Sequence, residues 1–358
     1  MKAAVCYEFG KPLVVEEITI DPPQRGEVKV KLAATAICHS DVHLIRGEWG
    51  GDLPVVPGHE AAGIVAEVGE GVRSLQPGDH VVVSLLRNCG RCLHCMTGAP
   101  YLCDADFALD TDTRLRNLRG EQLQRGDRTA AFAEYTVVHE TQCVQVPAEL
   151  PLTSAALLAC GVITGVGAVV NTAKVPPGSS VAVIGVGGVG LNAIQGARIA
   201  GARSIIAVDL LENKLAAART FGATDTVNAT EHEPVETVRA RNGGRGIDYV
   251  FVTVGSSRAV EQGFDMIRPG GMVVVVGLPP ASATVALNVH HFWAERHVVG
   301  SPMGSTRLNV DVPWLVELYR QGRLKLDELV TRCYPLEEVN EAIESMERGE
   351  ALRNVIVF

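Results

Sequence analysis

Cys89, Cys92, Cys95 and Cys103 form a CxxCxxCx7C run inside a loop rich in Gly, Arg and Asn. Four thiolates this close together can enclose one metal ion tetrahedrally, leave no position open, and hold a segment that has little core of its own. A structural zinc fits that description. An iron–sulfur cluster fits less well, because the bacterial ferredoxin run closes with an interval of three residues rather than seven. A second set is dispersed along the chain: Cys38 in AICHSDVH, His59 with Glu60 in VVPGHEAAG, and Cys160 in LLACGVITG. Two soft thiolates and one imidazole would leave a fourth tetrahedral position free, as a catalytic zinc requires. Taken singly, Cys38 and Cys160 read equally well as small buried hydrophobes, and His59 as a loop histidine.

A third constellation suits a nucleotide. The run SVAVIG leads straight into Gly185, Val186, Gly187, Gly188, Val189 and Gly190, a GxGxxG turn at the mouth of a helix. Gly185 permits the tight turn, Gly187 lets backbone approach a pyrophosphate, and Gly190 allows close packing of helix on strand. The helix N-terminus adds N–H donors and the positive end of a dipole. Asp209, at the end of the next strand, can accept both hydroxyls of an adenosine ribose and would repel a 2′-phosphate, which favours NAD over NADP. Because it precedes a helix it could instead be a cap. Lys214, one turn into that helix, is either a second ribose contact or solvated surface.

Such sites need a scaffold, and the chain of 358 residues is too long for one comfortable core. Two domains are expected. From Met1 to about Val146 the pattern is short β-like runs between Gly and Pro turns: VKVKLAATAI, AAGIVAEV, PGDHVVVSLL and AEYTVV. Around Lys174 it changes to strand, glycine turn, amphipathic helix, strand, the alternation of a parallel sheet covered by helices. SVAVIG, SIIAVD, DYVFVTV and MVVVVG read as buried strands, with helices at 189–200, 212–221 and 258–267. Further helices are expected near 313–320 and 336–348, in a tail that returns to the first lobe. The fold class is therefore α/β plus β.

Composition narrows the partners. A net charge of -9 repels nucleic-acid phosphates and anionic lipid, leaving a small molecule as the natural ligand. The uncharged stretch 150–173 carries Pro151 and three glycines and reads as a buried helix joining two domains rather than a membrane span. The first residues meet Glu8, Lys11, Glu16 and Glu17 too soon for a signal peptide, so a cytoplasmic location is expected. Nine cysteines in a reducing compartment are not a disulfide set. Cys6, Cys143 and Cys333 read as packing residues.

In their order and spacing, Cys38, His59 with Glu60, the four-cysteine loop, Cys160 with Gly161, the Gly185–Gly190 turn and Asp209 resemble the zinc-containing medium-chain alcohol dehydrogenase family, from Met1 to Phe358. The resemblance implies a GroES-like catalytic domain made of residues 1–162 and 303–358, and a Rossmann NAD-binding domain of residues 163–302, with the active site in the cleft. It implies a catalytic and a structural zinc in each subunit, and NAD. Cys38, His59 and Cys160 would ligate the catalytic zinc. Asp41 would accept the second N–H of His59 and fix its tautomer, and Glu60 would sit behind the metal, to help ligands exchange or simply to form a salt bridge. Ser40 and His43 match the proton relay. Thr164 and Val189 would flank the nicotinamide. Arg353 matches a pyrophosphate contact, and His39 stands where many relatives have an arginine, which implies a looser grip on the cofactor. Trp49, Leu85, Phe132, Leu278, Pro302 and Met303 would line a mainly apolar pocket.

Because the third ligand is Cys160, and not the glutamate of related polyol dehydrogenases, simple primary alcohols are expected. A formaldehyde dehydrogenase acting on an S-(hydroxymethyl)thiol adduct shares every one of these residues. It would need cations at the outer pocket, for which Arg114, Arg116 and Arg119 are candidates. A zinc-free nucleotide-binding or quinone-reducing protein of the same fold would lack the Cys38, His59, Cys160 set. The length of the Cys103–Phe132 loop points to a homodimer, with a homotetramer as the alternative.

Overall fold

The alternating residues of EVKVKLAATA form a strand, Glu27–Ala36, that is the spine of the first unit. The computed structural model describes residues 1–358, which separate into Met1–Cys160 with Arg307–Phe358, and Gly161–Thr306. In the first unit, strands follow the order Cys143–Gln145, His80–Val83, Glu60–Val68, Glu27–Ala36, Arg353–Val357, Val330–Pro335. Glu60–Val68 covers one edge of the spine antiparallel. The other edge is shared: Tyr135–His139 pairs with its first half and the C-terminal strand with its last residues. At Ala36 the cross-strand neighbours are thus Glu60 on one side and Val355 on the other. This register brings the two ends of the chain together beside His59. The inward residues Val28, Val30, Leu32, Ala61, Val65 and Val81 pack as one apolar cluster.

In the second unit all six strands are parallel, ordered Asp225–Asn228, Ser204–Asp209, Ser180–Ile184, Ile247–Val252, Ile267–Val275, His297–Gly300. The chain starts at the central strand, builds outward on one side, then returns and builds on the other. The reversal puts a crevice at the carboxyl end of Ser180–Ile184, where ligands bind in open sheets of this kind. The outer strands Asp225–Asn228 and His297–Gly300 were not anticipated from sequence because they are short and lack a buried apolar run.

Two other differences have physical causes. Residues 150–173 are not one helix but Leu152–Leu157, Gly161–Gly167 and a π-turn, Ala168–Thr172. Between the first two the N–H groups of Leu158 and Ala159 bond three residues back, tightening the chain, and Gly161 resists continuation. The break falls at Cys160. The helix expected to start at Pro313 runs from Leu308 to Arg320 with the proline inside. The Asp311 carboxylate accepts the Arg307 N–H at 2.8 Å and so caps an earlier start. No helix is long and apolar enough to cross a membrane.

Candidate metal centres and nucleotide turn

Cys38 caps the short helix His39–Ile45, and three residues on, Asp41 folds back over it. One Asp41 oxygen accepts the Cys38 N–H at 2.9 Å; the other accepts the Gly58 N–H at 3.1 Å and lies 2.9 Å from His59 Nδ1. Asp41 thus ties the helix, the 58–59 turn and the imidazole into one frame, and it fixes the tautomer in which Nδ1 carries the proton. His59 Nε2 is left facing inward. It is buried and has no hydrogen-bond partner, a vacancy that costs about 1–3 kcal/mol unless something fills it.

What could fill it is set by the surroundings. The ligand atoms of Cys38, His59, Glu60 and Cys160 all lie within 4.8 Å of one another, and all four residues are buried. A hydrogen bond from the Cys160 thiol holds Cys38 well below its ordinary pKa, while sharing that proton, with burial, pushes Cys160 well above. A metal ion bound by both sulfurs would displace the proton they share. Burial pushes the Glu60 carboxyl up to about 8, against the pull of Arg353. Arg353 lies 3.2 Å from Glu60 but is not angled to hydrogen-bond to it, and donates instead to the Ile37 carbonyl at 3.1 Å. It is 5% exposed. The donor set of two thiolates and an imidazole, with an orphaned ring nitrogen, fits zinc.

The four-cysteine loop fits a second, closed site. The ligand atoms of Cys89, Cys92, Cys95 and Cys103 also lie within 4.8 Å of one another. The Cys92 N–H donates to the Cys89 sulfur and the Cys89 N–H to the Cys103 sulfur, each at 3.3 Å. Such bonds favour thiolate, and with that of Arg91 foremost they bring Cys89 down to about 6. The lobe's two short helices, Leu93–Met96 and Pro100–Leu102, bury no residue, and Leu93 and Met96 are 74% and 76% exposed. With no core, the cluster is the element that can hold this lobe. None of the nine cysteines forms a disulfide.

Around the first cluster, the Cys38 thiol is 3.7 Å from Ser40 Oγ. Ser40 and His43 stand three apart on one helix, and so on one face. Glu48, which no sequence motif singled out, lies 2.6 Å from His43 Nδ1, and Trp49 tilts against the same ring at 5.1 Å. The turn after the helix, closed by the Glu48 N–H on the His43 carbonyl, brings the carboxylate back to the ring. His39 is exposed at the helix start and Leu85 is half-buried. Phe132 departs from expectation: it is fully buried in a cluster with Ala4, Cys6, Ile37 and Val42, its ring filling the space where Gly58 lacks a Cβ. It is core rather than pocket wall. Arg114 departs too, since Glu27 and Asp112 bind it and it is 2% exposed. Arg116 faces Asp21 and Asp112, and Arg119 faces Glu121.

In the second unit, Gly185 has φ +86°, a conformation that favours glycine, and a Cβ on Gly190 would collide with the Gly185 carbonyl. Gly187 caps the helix Gly188–Ile199 and faces open space. Asp209 accepts the Val186 N–H at 2.7 Å with one oxygen and the Leu210 and Leu211 N–H groups with the other. Its carboxylate is therefore aimed at the glycine turn. Thr164 donates weakly to the Met303 sulfur at 3.7 Å, Leu278 and Pro302 are exposed, and Lys214 is buried.

Residues 24–148 match the alcohol dehydrogenase GroES-like domain and residues 188–320 the zinc-binding dehydrogenase domain. Alcohol dehydrogenase 1 of Pisum sativum is 39% identical over 99% of this chain and 96% of its own. Among solved structures, benzyl alcohol dehydrogenase from Acinetobacter calcoaceticus superposes with a TM-score of 0.93 at 33% identity, covering 100% of this chain and 99% of that one. A zinc-binding dehydrogenase from Sinorhizobium meliloti solved with NADP superposes at 0.83 with 28% identity, covering 100% and 99%. The chain belongs to the zinc-containing medium-chain alcohol dehydrogenase family. It is a zinc alcohol dehydrogenase, an oxidoreductase acting on small molecules.

Proposed function

We propose that this enzyme is NAD-linked and acts on primary alkyl or aromatic alcohols and their aldehydes, with a catalytic zinc held by Cys38, His59 and Cys160 and a structural zinc held by Cys89, Cys92, Cys95 and Cys103. The observation that carries this reading is the buried thiolate–imidazole cluster with its orphaned His59 Nε2. When bound, such a zinc acts as a Lewis acid toward a hydroxyl or carbonyl oxygen, and nicotinamide exchanges hydride. The chain's own groups do the rest. Asp41 holds His59 in the ligating tautomer, and Arg353 offsets the negative charge gathered by Glu60 and the thiolates. Ser40, beside the Cys38 sulfur, and His43 on the same helical face carry the alcohol proton outward. Glu48 holds the His43 ring through Nδ1, leaving Nε2 to take that proton.

Glu48→Ala is expected to lower kcat by about 10-fold, and His43→Ala by about 10²-fold, the span that a positioned base contributes. Steady-state rates of the two variants check the ordering. A Glu48 variant with unchanged kcat would remove Glu48 from the relay.

Fold alone does not choose the cofactor, since one similar structure was solved with NADP. Asp209 chooses it here. Its carboxylate, already aimed at the glycine turn, would meet a 2′-phosphate with like charge. Asp209→Gly is expected to lower the NAD:NADP ratio of kcat/KM by about 10–100-fold, the worth of a charged hydrogen bond of ~1.5–3 kcal/mol. Measuring that ratio settles it, and an unchanged value would contradict the assignment.

The adduct-oxidising reading loses one of its candidate cations, because Glu27 and Asp112 bind Arg114, while Arg116 and Arg119 stay exposed. We place the enzyme in the cytoplasm, a reading that its cysteines' lack of disulfides supports. A homodimer is our reading of the assembly, with a homotetramer as the alternative. The sheet edge at His297–Gly300 is unpaired, and Val289 and Trp293 just before it are 79% and 89% exposed.

A further inference from the structure

Asp127 lies in QRGDRTAAF, a stretch with no metal-ligand spacing, yet it reaches the metal centre. Its Oδ2 is 3.2 Å from His59 Nδ1, the nitrogen that Asp41 already approaches to 2.9 Å. That oxygen is buried and makes no well-angled hydrogen bond, although the side chain as a whole keeps a quarter of its exposure. One carboxylate oxygen has therefore been taken out of water and aimed at an imidazole.

The backbone that delivers it is strained. Asp127, Arg128 and Ala130 have φ of +46°, +61° and +57°, left-handed values that cost a non-glycine residue ~1 kcal/mol or more each. The strain is held by its surroundings. The Thr129 hydroxyl donates to the Asp127 carbonyl at 2.9 Å, Gln142 Nε2 donates to the Arg128 carbonyl at 3.2 Å, and Gly126 is pressed against Pro57. A relaxed turn would return the carboxylate to solvent. Two carboxylates converging on one N–H also repel each other, and positive charge on the ring or beyond it offsets that repulsion. Nε2, the far side, is where a divalent cation would sit.

We propose that Asp127 is a positioning residue of the catalytic metal centre, a second carboxylate behind His59 that adds its negative charge to that of Asp41 beside Nδ1 and slows loss of the ion held at Nε2. Carboxylates placed behind a ligating histidine typically change metal affinity by about 10–100-fold. The inference rests on the zinc-ligand reading of Cys38, His59 and Cys160.

The test follows zinc release from the intact, zinc-loaded protein to a chromophoric chelator, where the buried site and the four-cysteine site give separate phases. Asp127→Asn is expected to speed the buried-site phase by about 10-fold or more and leave the other phase unchanged. Asp127→Gly, which relieves the strain, is expected to release zinc as fast as Asp127→Asn without a lower melting temperature. With cobalt in the buried site, the visible bands of Asp127→Asn are expected to shift. Asp41→Asn is the yardstick. If it speeds release while Asp127→Asn keeps the wild-type rate and spectrum, the proposal is wrong and the zinc site stands. If Asp127→Asn speeds both phases together and melts early, Asp127 merely holds its loop and the proposal is again wrong. If wild-type protein releases zinc in the four-cysteine phase alone, the proposal falls together with the reading beneath it.

Discussion

Cys160→Ala is expected to lower alcohol oxidation by at least about 10³-fold and to remove one of two zinc ions per chain, with little change in fold. A Lewis acid at the reacting oxygen is worth several kcal/mol of transition-state stabilisation, and each ~1.4 kcal/mol is a factor of ten. The variant leaves Cys38 and His59 with no third anchor. Because Cys160 sits in a tight break between helices and its side chain faces the cluster, alanine fits the site without disturbing either helix. Metal analysis and steady-state rates on the same sample check both halves. Full activity with one zinc lost would show that the buried site is not the catalytic one.

The second large effect concerns stability. Cys103→Ala opens the four-cysteine cluster, and binding of a structural zinc to such sites is worth roughly 10–16 kcal/mol. The lobe it closes buries no side chain in its helices, so nothing else is present to hold it. The expected result is local unfolding of residues 89–103, read as rapid proteolytic cleavage there, with a lowered melting temperature for the whole protein. A variant that resists protease like the parent would mean that the lobe is held by something other than its thiolates.

Much of this was legible in sequence, for identifiable reasons. CxxCxxCx7C is a local spacing, and local spacings survive folding unchanged. The glycine turn is likewise local, fixed by what Gly185 and Gly190 must avoid. Cys38, His59 and Cys160 are far apart, and their juxtaposition became readable through the family's pattern rather than through geometry.

What sequence hid depends on register or on unusual backbone. Arg353 meets Glu60 because the strands that carry them lie on either side of Glu27–Ala36, with Glu60 and Val355 both opposite Ala36, a fact of sheet order. Arg114 reads as a loop cation until Glu27 is placed beside it by the fold. Phe132 reads as a pocket aromatic until the ring is seen filling the space above Gly58. Asp127 is placed by left-handed backbone at Asp127, Arg128 and Ala130, none of them a glycine whose type would give that conformation away.

The most direct test of the account is NADH formation from NAD and a primary aromatic alcohol, measured before and after chelation has stripped the buried site and again after zinc is returned. The account expects turnover to fall to background with the loss of that zinc and to return with it, without added thiol. Full turnover by protein whose buried site holds no metal would contradict it.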